Sequence, residues 1–270
     1  MPVDQRPAKQ GGRPVFRHAA AAVVLGGGLL ISGCAPTGTG IGLNLVPEEQ
    51  VQEMGLEAWQ QIRSETPVSN NRQYQQTAQR VATRLLQAAD RDPSNWEVVV
   101  FQGQEANAFA LPGGKIGVYE GMMQIVGSDD ELAAVIGHEI AHNERDHASQ
   151  RVSSQMATQM GADLAASALG AAGFGNPQIV AGVLGAGAQY GLILPYSRNQ
   201  ELEADRLGLQ YMAQAGYNPQ AAITFWQKME QQGGRPPEFL STHPAPGQRI
   251  QQLQAMMPEA MEIYRAATGS

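Results

Sequence analysis

Val135 to His147 reads VIGHEIAHNERDH and holds three of the chain's five histidines. His138 and His142 stand four apart. On a helix that spacing stacks two imidazoles on one face, about one turn apart. Both rings can then bind one zinc ion at ~2.0–2.1 Å. Glu139 follows His138 directly, so it projects beside such a metal and not into its ligand set. A carboxylate there can take the proton of a water that attacks a carbonyl. The pattern is H-E-x-x-H, and its chemistry is metal-assisted hydrolysis. A catalytic zinc keeps three protein ligands and an open position, so a further ligand must come from elsewhere. His147 is a poor choice: it lies about 140° further around a continuous helix than His142, and it is read as capping or solvating the helix end.

The better source is YSRNQELEADRLGLQYM, residues 196–212. Ser197 with Gln200 forms a capping box that opens a helix. Glu201 and Asp205 share a face of it at four-residue spacing, while Glu203 points elsewhere. Glu201 is expected to ligate the metal. Asp205, one turn along, is expected to hydrogen-bond a ligand imidazole and fix its tautomer. His243, in STHPAPGQR (241–249), is the last histidine to place. It sits in a proline-containing loop, from which it could donate to a developing oxyanion.

These residues need a scaffold. SDDEL (128–132) is a second capping box, with Ser128 capping and Glu131 reaching back, and Asp129 and Asp130 suit the positive end of the helix dipole. The helix that follows is largely apolar through the histidines. Helices are also expected over 47–65, 71–90, 219–232 and 246–267. WEVVVFQG (96–103) is β-branched and aromatic and reads as a strand. ANAFALPGGKIGVYEGMM (106–123) reads as strand, Pro-Gly-Gly turn, short strand and helix start. The fold class is therefore α+β, mostly α-helical, with a small antiparallel sheet beside the H-E-x-x-H helix. Residues 160–197 carry a single charge, Asp163, and are rich in Gly and Ala. They read as two tightly packed core helices, with a mobile or membrane-facing segment near the site, or a membrane-spanning hairpin, as the alternatives.

The bulk numbers narrow the class. A chain of 270 residues with 43% hydrophobic residues can bury a sizeable core. A formal charge of -7 and the lack of a basic stripe argue against nucleic acid as a partner. The first residues carry Arg6, Lys9, Arg13 and Arg17 against one acid, Asp4, and then run uncharged from Ala19 to Cys34. That is the layout of a secretory signal, and the apolar run is shorter than the ~20 residues of a spanning helix. ISGC resembles a bacterial lipobox, which would make the lone Cys34 the acylated N-terminus. The expected organisation is a lipoprotein signal peptide over 1–33, a Gly/Thr/Pro-rich tether over 34–46 and one domain carrying the H-E-x-x-H residues over 47–270. Ala35 in place of aspartate favours, by resemblance to Gram-negative lipoproteins, the periplasmic face of the outer membrane.

NAFALPGGKIGVYEGMM, ELAAVIGHEIAHNERDH, SRNQELEADRLGL and STHPAPGQRI occur in the order found in bacterial zinc peptidases of the HtpX, BepA and LoiP type, and the lipobox is most similar to the LoiP-like lipoproteins. The resemblance implies a zincin-like, gluzincin-type fold in which His138, His142 and Glu201 bind one Zn2+, Glu139 is the catalytic base and Asp205 supports the site. It implies that Asn107, Ala108, Phe109 and Ala110 form a sheet edge that takes substrate as an added strand. It also implies a second role for His243, as a fourth zinc ligand that fills the water's place. The implied substrates are unfolded or misassembled envelope proteins, with the lipid as the membrane contact. Two other readings fit the same residues: a lipoprotein chaperone or assembly factor that seldom cuts, and a zinc hydrolase of non-peptide bonds.

Overall fold

The structure is a computed structural model, and it describes residues 46–154, 157–158, 196–231, 239–243 and 246–269. The signal peptide, Cys34 and almost all of the tether lie outside the described residues, as does the Gly/Ala-rich stretch up to residue 195. Among the described residues, no helix is long and apolar enough to cross a membrane.

Two helices open the described domain. α1 spans Glu48–Glu65 behind Pro47, with Glu48 and Glu49 in its first turn, where negative charge meets the positive end of the helix. α2 spans Arg72–Ala88, and the Asn71 side chain accepts from the backbone N–H groups of Gln73 and Tyr74. Its buried residues are Ala78, Val81, Ala82, Leu85 and Leu86, a single stripe at helical spacing.

A three-stranded sheet follows: β1 (Glu97–Phe101), β2 (Ala108–Leu111) and β3 (Lys115–Tyr119), in the order β1-β3-β2. β2 and β3 are antiparallel, Ala108 opposite Val118 and Leu111 opposite Lys115. The turn between them holds Gly113 at φ 81° and Gly114 at φ 71°, a pair of left-handed residues that glycine adopts without a Cβ penalty. β1 pairs with β3 in parallel, so the sheet is mixed where the sequence suggested antiparallel. The physical reason is the link over residues 102–107, which carries the chain past β3 before β2 begins, leaving β3 in the middle and β2 at an edge.

α3 (Glu120–Ile125) leads into α4 (Asp129–Glu144), which carries the H-E-x-x-H residues. Ser128 Oγ accepts from the Glu131 N–H as expected. The Glu131 carboxylate reaches one residue further back than a capping box requires. It accepts from the Gly127 N–H at 2.7 Å and pairs with Lys228 Nζ at 2.6 Å. α4 packs against the helix Arg198–Gln214, here the Glu201 helix, whose Ser197–Gln200 capping box is complete. The helix Gln220–Gln231, the short turn Phe239–Thr242 and the helix Pro246–Thr268 complete the described fold. The main core lies between α2, α4, these later helices and one face of the sheet.

α4 and the Glu201 helix meet backbone to backbone at two glycines. A Cβ on Gly208 would lie 3.1 Å from the His138 backbone nitrogen, and one on Gly137 would lie 3.3 Å from the Gly208 carbonyl oxygen. Backbone atoms yield less than side-chain tips, so overpacking here outweighs the ~1 kcal/mol that alanine gains over glycine in a helix. Gly208→Ala is therefore expected to lower the thermal midpoint of the zinc-loaded protein by several degrees, and Gly137→Ala by less, both measured by calorimetry.

Candidate metal centre

α4 places His138 and His142 on one face, with their rings 4.5 Å apart between centroids. Their Nε2 atoms are 2.9 Å apart. From the Glu201 helix, the Glu201 carboxylate comes within 3.4 Å of His142 Nε2 and 3.6 Å of His138 Nε2. His243, at the end of the short turn Phe239–Thr242, brings Nδ1 to 3.2 Å from His138 Nε2 and 2.9 Å from Glu201 Oε1. One ligand atom from each of the four residues lies within 4.8 Å of the others, and all four residues are buried. A tetrahedral zinc with bonds of ~2.0–2.1 Å separates its ligand atoms by about 3.3 Å, so the cluster has the size of a zinc site.

Charge agrees with geometry. Burial lowers the His138 pKa to about 4, helped by the nearby Arg249, and lowers that of His142 well below the usual imidazole range. Both rings are thus neutral at pH 7 and offer lone pairs. Burial alone would raise the Glu201 pKa, but His243 and Arg249 outweigh it and hold the carboxyl well below its ordinary range. Neutral imidazoles with an ionised carboxylate are the donor forms that a zinc ion requires.

Asp205 Oδ1 lies 3.0 Å from His138 Nδ1. A carboxylate only accepts, so Asp205 favours the proton on Nδ1 and the lone pair on Nε2, against the Arg249 Nη2 donor 3.1 Å from the same Nδ1. The structure places Asp205 beside the ring of His138.

Glu139 is fully buried, and neither carboxylate oxygen has a hydrogen-bond partner among the described residues. His243 Nε2 lies 3.3 Å from Oε1. Burial pushes its pKa up to about 7, with His243 opposing. A buried carboxyl group without partners is costly. Here it stands beside the cluster, where a bound cation would favour its ionised form.

Ala108, Phe109 and Ala110 lie in β2, while Asn107 precedes the strand and its carbonyl accepts from the Tyr119 N–H at 2.9 Å. The Asn143 side chain, from α4, donates to the Leu111 carbonyl. A cleft of about 450 Å³ passes Ala110, Leu111 and Pro112 and reaches His142 and Tyr196.

Sequence reasoning missed two parts of the site. Arg249 is buried and donates from Nε to Asp205 Oδ2 at 2.8 Å, from Nη2 to Asp205 Oδ1, and from Nη1 to Glu201 Oε2. Its guanidinium also stacks 3.9 Å from the centre of the Trp226 ring, a cation–π contact. The signal was in the sequence: two acids on one buried helix face need a cation, and STHPAPGQR carries one. The other is His147. It is completely buried against His142 and does not solvate the helix end. Tyr196 stacks on His142 at 3.7 Å.

Truncating Arg249 leaves two buried carboxylates without their shared cation. Arg249→Ala should cost roughly 3–5 kcal/mol of stability, read from the denaturant midpoint. Arg249→Lys should recover only part of it, because an ammonium cannot bridge both carboxylates in a fork.

Among proteins of known family, the description Peptidase family M48 matches residues 69–257. The chain is 35% identical over 215 residues to the mitochondrial metalloendopeptidase OMA1 of Schizosaccharomyces pombe, an alignment covering 77% of this chain and 61% of that protein. It is 31% identical over 228 residues to the mitochondrial metalloendopeptidase OMA1 of Bos taurus, covering 79% and 43%. It is 29% identical over 247 residues to the beta-barrel assembly-enhancing protease of Escherichia coli (strain K12), covering 85% and 50%. The chain thus spans less than two thirds of the length of each of these relatives.

Proposed function

The chain belongs to peptidase family M48, and from that premise we propose that it is a zinc-dependent endopeptidase of the bacterial envelope that cleaves misfolded or stalled periplasmic and outer-membrane proteins. The observation that carries this reading is the convergence of His138, His142, Glu201 and His243 within 4.8 Å, with the buried carboxylate of Glu139 beside them. Zinc, when bound, supplies a Lewis acid that polarises a carbonyl and acidifies water.

The chain's own residues do the rest. His138, His142 and Glu201 hold the metal. Asp205 fixes the His138 tautomer, and Arg249 keeps both carboxylates ionised and in place. Glu139 accepts a proton from the attacking water and returns it to the leaving amine. The β2 edge over Ala108–Leu111, with Asn107 leading into it, takes the substrate as an added strand. The cleft beside it accommodates the chain on its way to His142. Main-chain pairing of this kind makes little demand on sequence, which suits substrates recognised by being unfolded. His243, with Nδ1 3.2 Å from His138 Nε2 and 2.9 Å from Glu201 Oε1, would fill the fourth position as a latch.

The envelope setting rests on the basic N-terminal segment, the apolar run and ISGC at Cys34, and on the beta-barrel assembly-enhancing protease among the relatives. With Cys34 acylated, the domain is an outer-membrane lipoprotein facing the periplasm, tethered through residues 34–46.

Cleavage of casein by the zinc-loaded full chain tests the reading. Glu139→Gln should lower the rate by about 10²–10⁴-fold with zinc content unchanged. If wild type and Glu139→Gln are both inert and both bind the unfolded client, the protein is a chaperone or assembly factor instead. His243→Ala should raise peptidase activity by freeing the fourth position. A fall with zinc retained would assign His243 to the oxyanion.

A further inference from the structure

α4 does not run straight on to His147. Its C-cap is Arg145, and Asp146 takes φ 52°, a left-handed conformation that non-glycine residues seldom adopt. The Asp146 N–H still donates to the Asn143 carbonyl at 3.1 Å, and the Asp146 carbonyl accepts from Gln150 N–H as the helix restarts. This single residue rotates the chain. It turns His147 back against His142, where a continuous helix would carry it well away.

With both rings neutral, the contact that results has one consistent proton arrangement. His142 Nδ1 and His147 Nδ1 are 2.8 Å apart, so one carries the proton and the other the lone pair. His147 Nε2 lies 3.3 Å from Glu203 Oε2, and a carboxylate only accepts. The proton of a neutral His147 is therefore on Nε2, and its Nδ1 accepts. His142 must then donate from Nδ1, which leaves its own Nε2 with a lone pair aimed at His138 and Glu201. Arg145 Nε donates to Glu203 Oε1 at 2.5 Å and anchors the far end. Tyr196, stacked on His142, confines that ring from the side.

We propose that His147 and Glu203 are a positioning pair, acting through the chain His142 Nδ1–H to His147 Nδ1 and His147 Nε2–H to Glu203, that locks His142 in its metal-binding tautomer. The pair does for His142 what Asp205 does for His138, with an imidazole inserted between ligand and carboxylate. Neither residue supplies an atom to the metal cluster, and His147 reaches it only through His142 Nδ1. The proposal rests on the metallopeptidase reading above, since His142 is taken as a ligand there.

Two measurements on the full chain, purified in detergent, test it. The first is the zinc dissociation constant, by competition with a chelating dye. His147→Ala should raise it 10–100-fold, the usual effect of losing a ligand's hydrogen-bond partner. His147→Asn, whose amide oxygen can accept where Nδ1 did, should stay within about 3-fold of wild type. Glu203→Ala alters a half-exposed side chain and leaves the fold intact, and should weaken zinc severalfold. The second is long-range ¹H–¹⁵N NMR of the histidine rings in the metal-free protein. His142 should be the Nδ1–H tautomer and His147 the Nε2–H tautomer, and Glu203→Ala should convert His147 into a tautomer mixture. An Nε2–H tautomer at His142, or zinc binding by both His147→Ala and Glu203→Ala as tight as wild type, overturns the pair. Wild-type protein that binds no zinc overturns the metallopeptidase reading, and the tautomers then decide the pair separately.

Discussion

The site depends on how closely two helix backbones approach. Where Gly137 faces Gly208, no side chain separates α4 from the Glu201 helix, and each glycine's missing Cβ is replaced by the other helix's main chain. Helices with ordinary side chains between them pack with axes 8–10 Å apart. Here the crossing is closed by backbone contact, so residues adjacent to it point into one small volume. His138 follows Gly137 directly, and Asp205 and Glu201 lie about one and two turns before Gly208. A larger residue at either glycine would separate the imidazoles from the carboxylates, and the cluster would lose its zinc-sized spacing.

That proximity sets an electrostatic problem which the neighbouring elements solve. With His138 and His142 neutral, Glu201 and Asp205 bring two negative charges into the core and Arg249 brings one positive charge. Glu139 adds further negative charge when ionised. Buried carboxylates of this number need more positive charge than one guanidinium supplies, and a divalent cation at the four-residue cluster meets that need. Arg249 is bound to the face of Trp226 as well as to the two acids, so the helix Gln220–Gln231 helps to position a cation that acts on a different helix.

Much of this was legible in the residues. The four-residue spacing of His138 and His142, and again of Glu201 and Asp205, places each pair on a face without any tertiary information, and Ser197 with Gln200 marks where the second helix begins. What was not legible depends on events between elements. The parallel pairing of β1 with β3 is set by the path of the link over residues 102–107, and the turn signal at Pro112–Gly114 speaks only for β2 and β3. His147 was placed wrongly because helical phase was extrapolated through Asp146, an aspartate that adopts a glycine-like φ. Arg249 went unassigned because its partners lie more than forty residues away in sequence. A charge count on the buried acids would have called for it.

The segment bearing His243 is tied to both sides of the cleft. The Tyr196 N–H, at the entrance of the Glu201 helix, donates to the Thr242 carbonyl at 3.1 Å. The Phe239 N–H donates to the Ala106 carbonyl at 3.2 Å, just before β2 begins. The short turn Phe239–Thr242 therefore bridges the segment leading into β2 and the entrance of the helix that supplies Glu201. The Phe239 ring rests 4.3 Å from that of His243, so displacement of Phe239 bears directly on the imidazole. The position of His243 beside His138 and Glu201 is thus set by backbone hydrogen bonds on both flanks of its turn and by one ring contact.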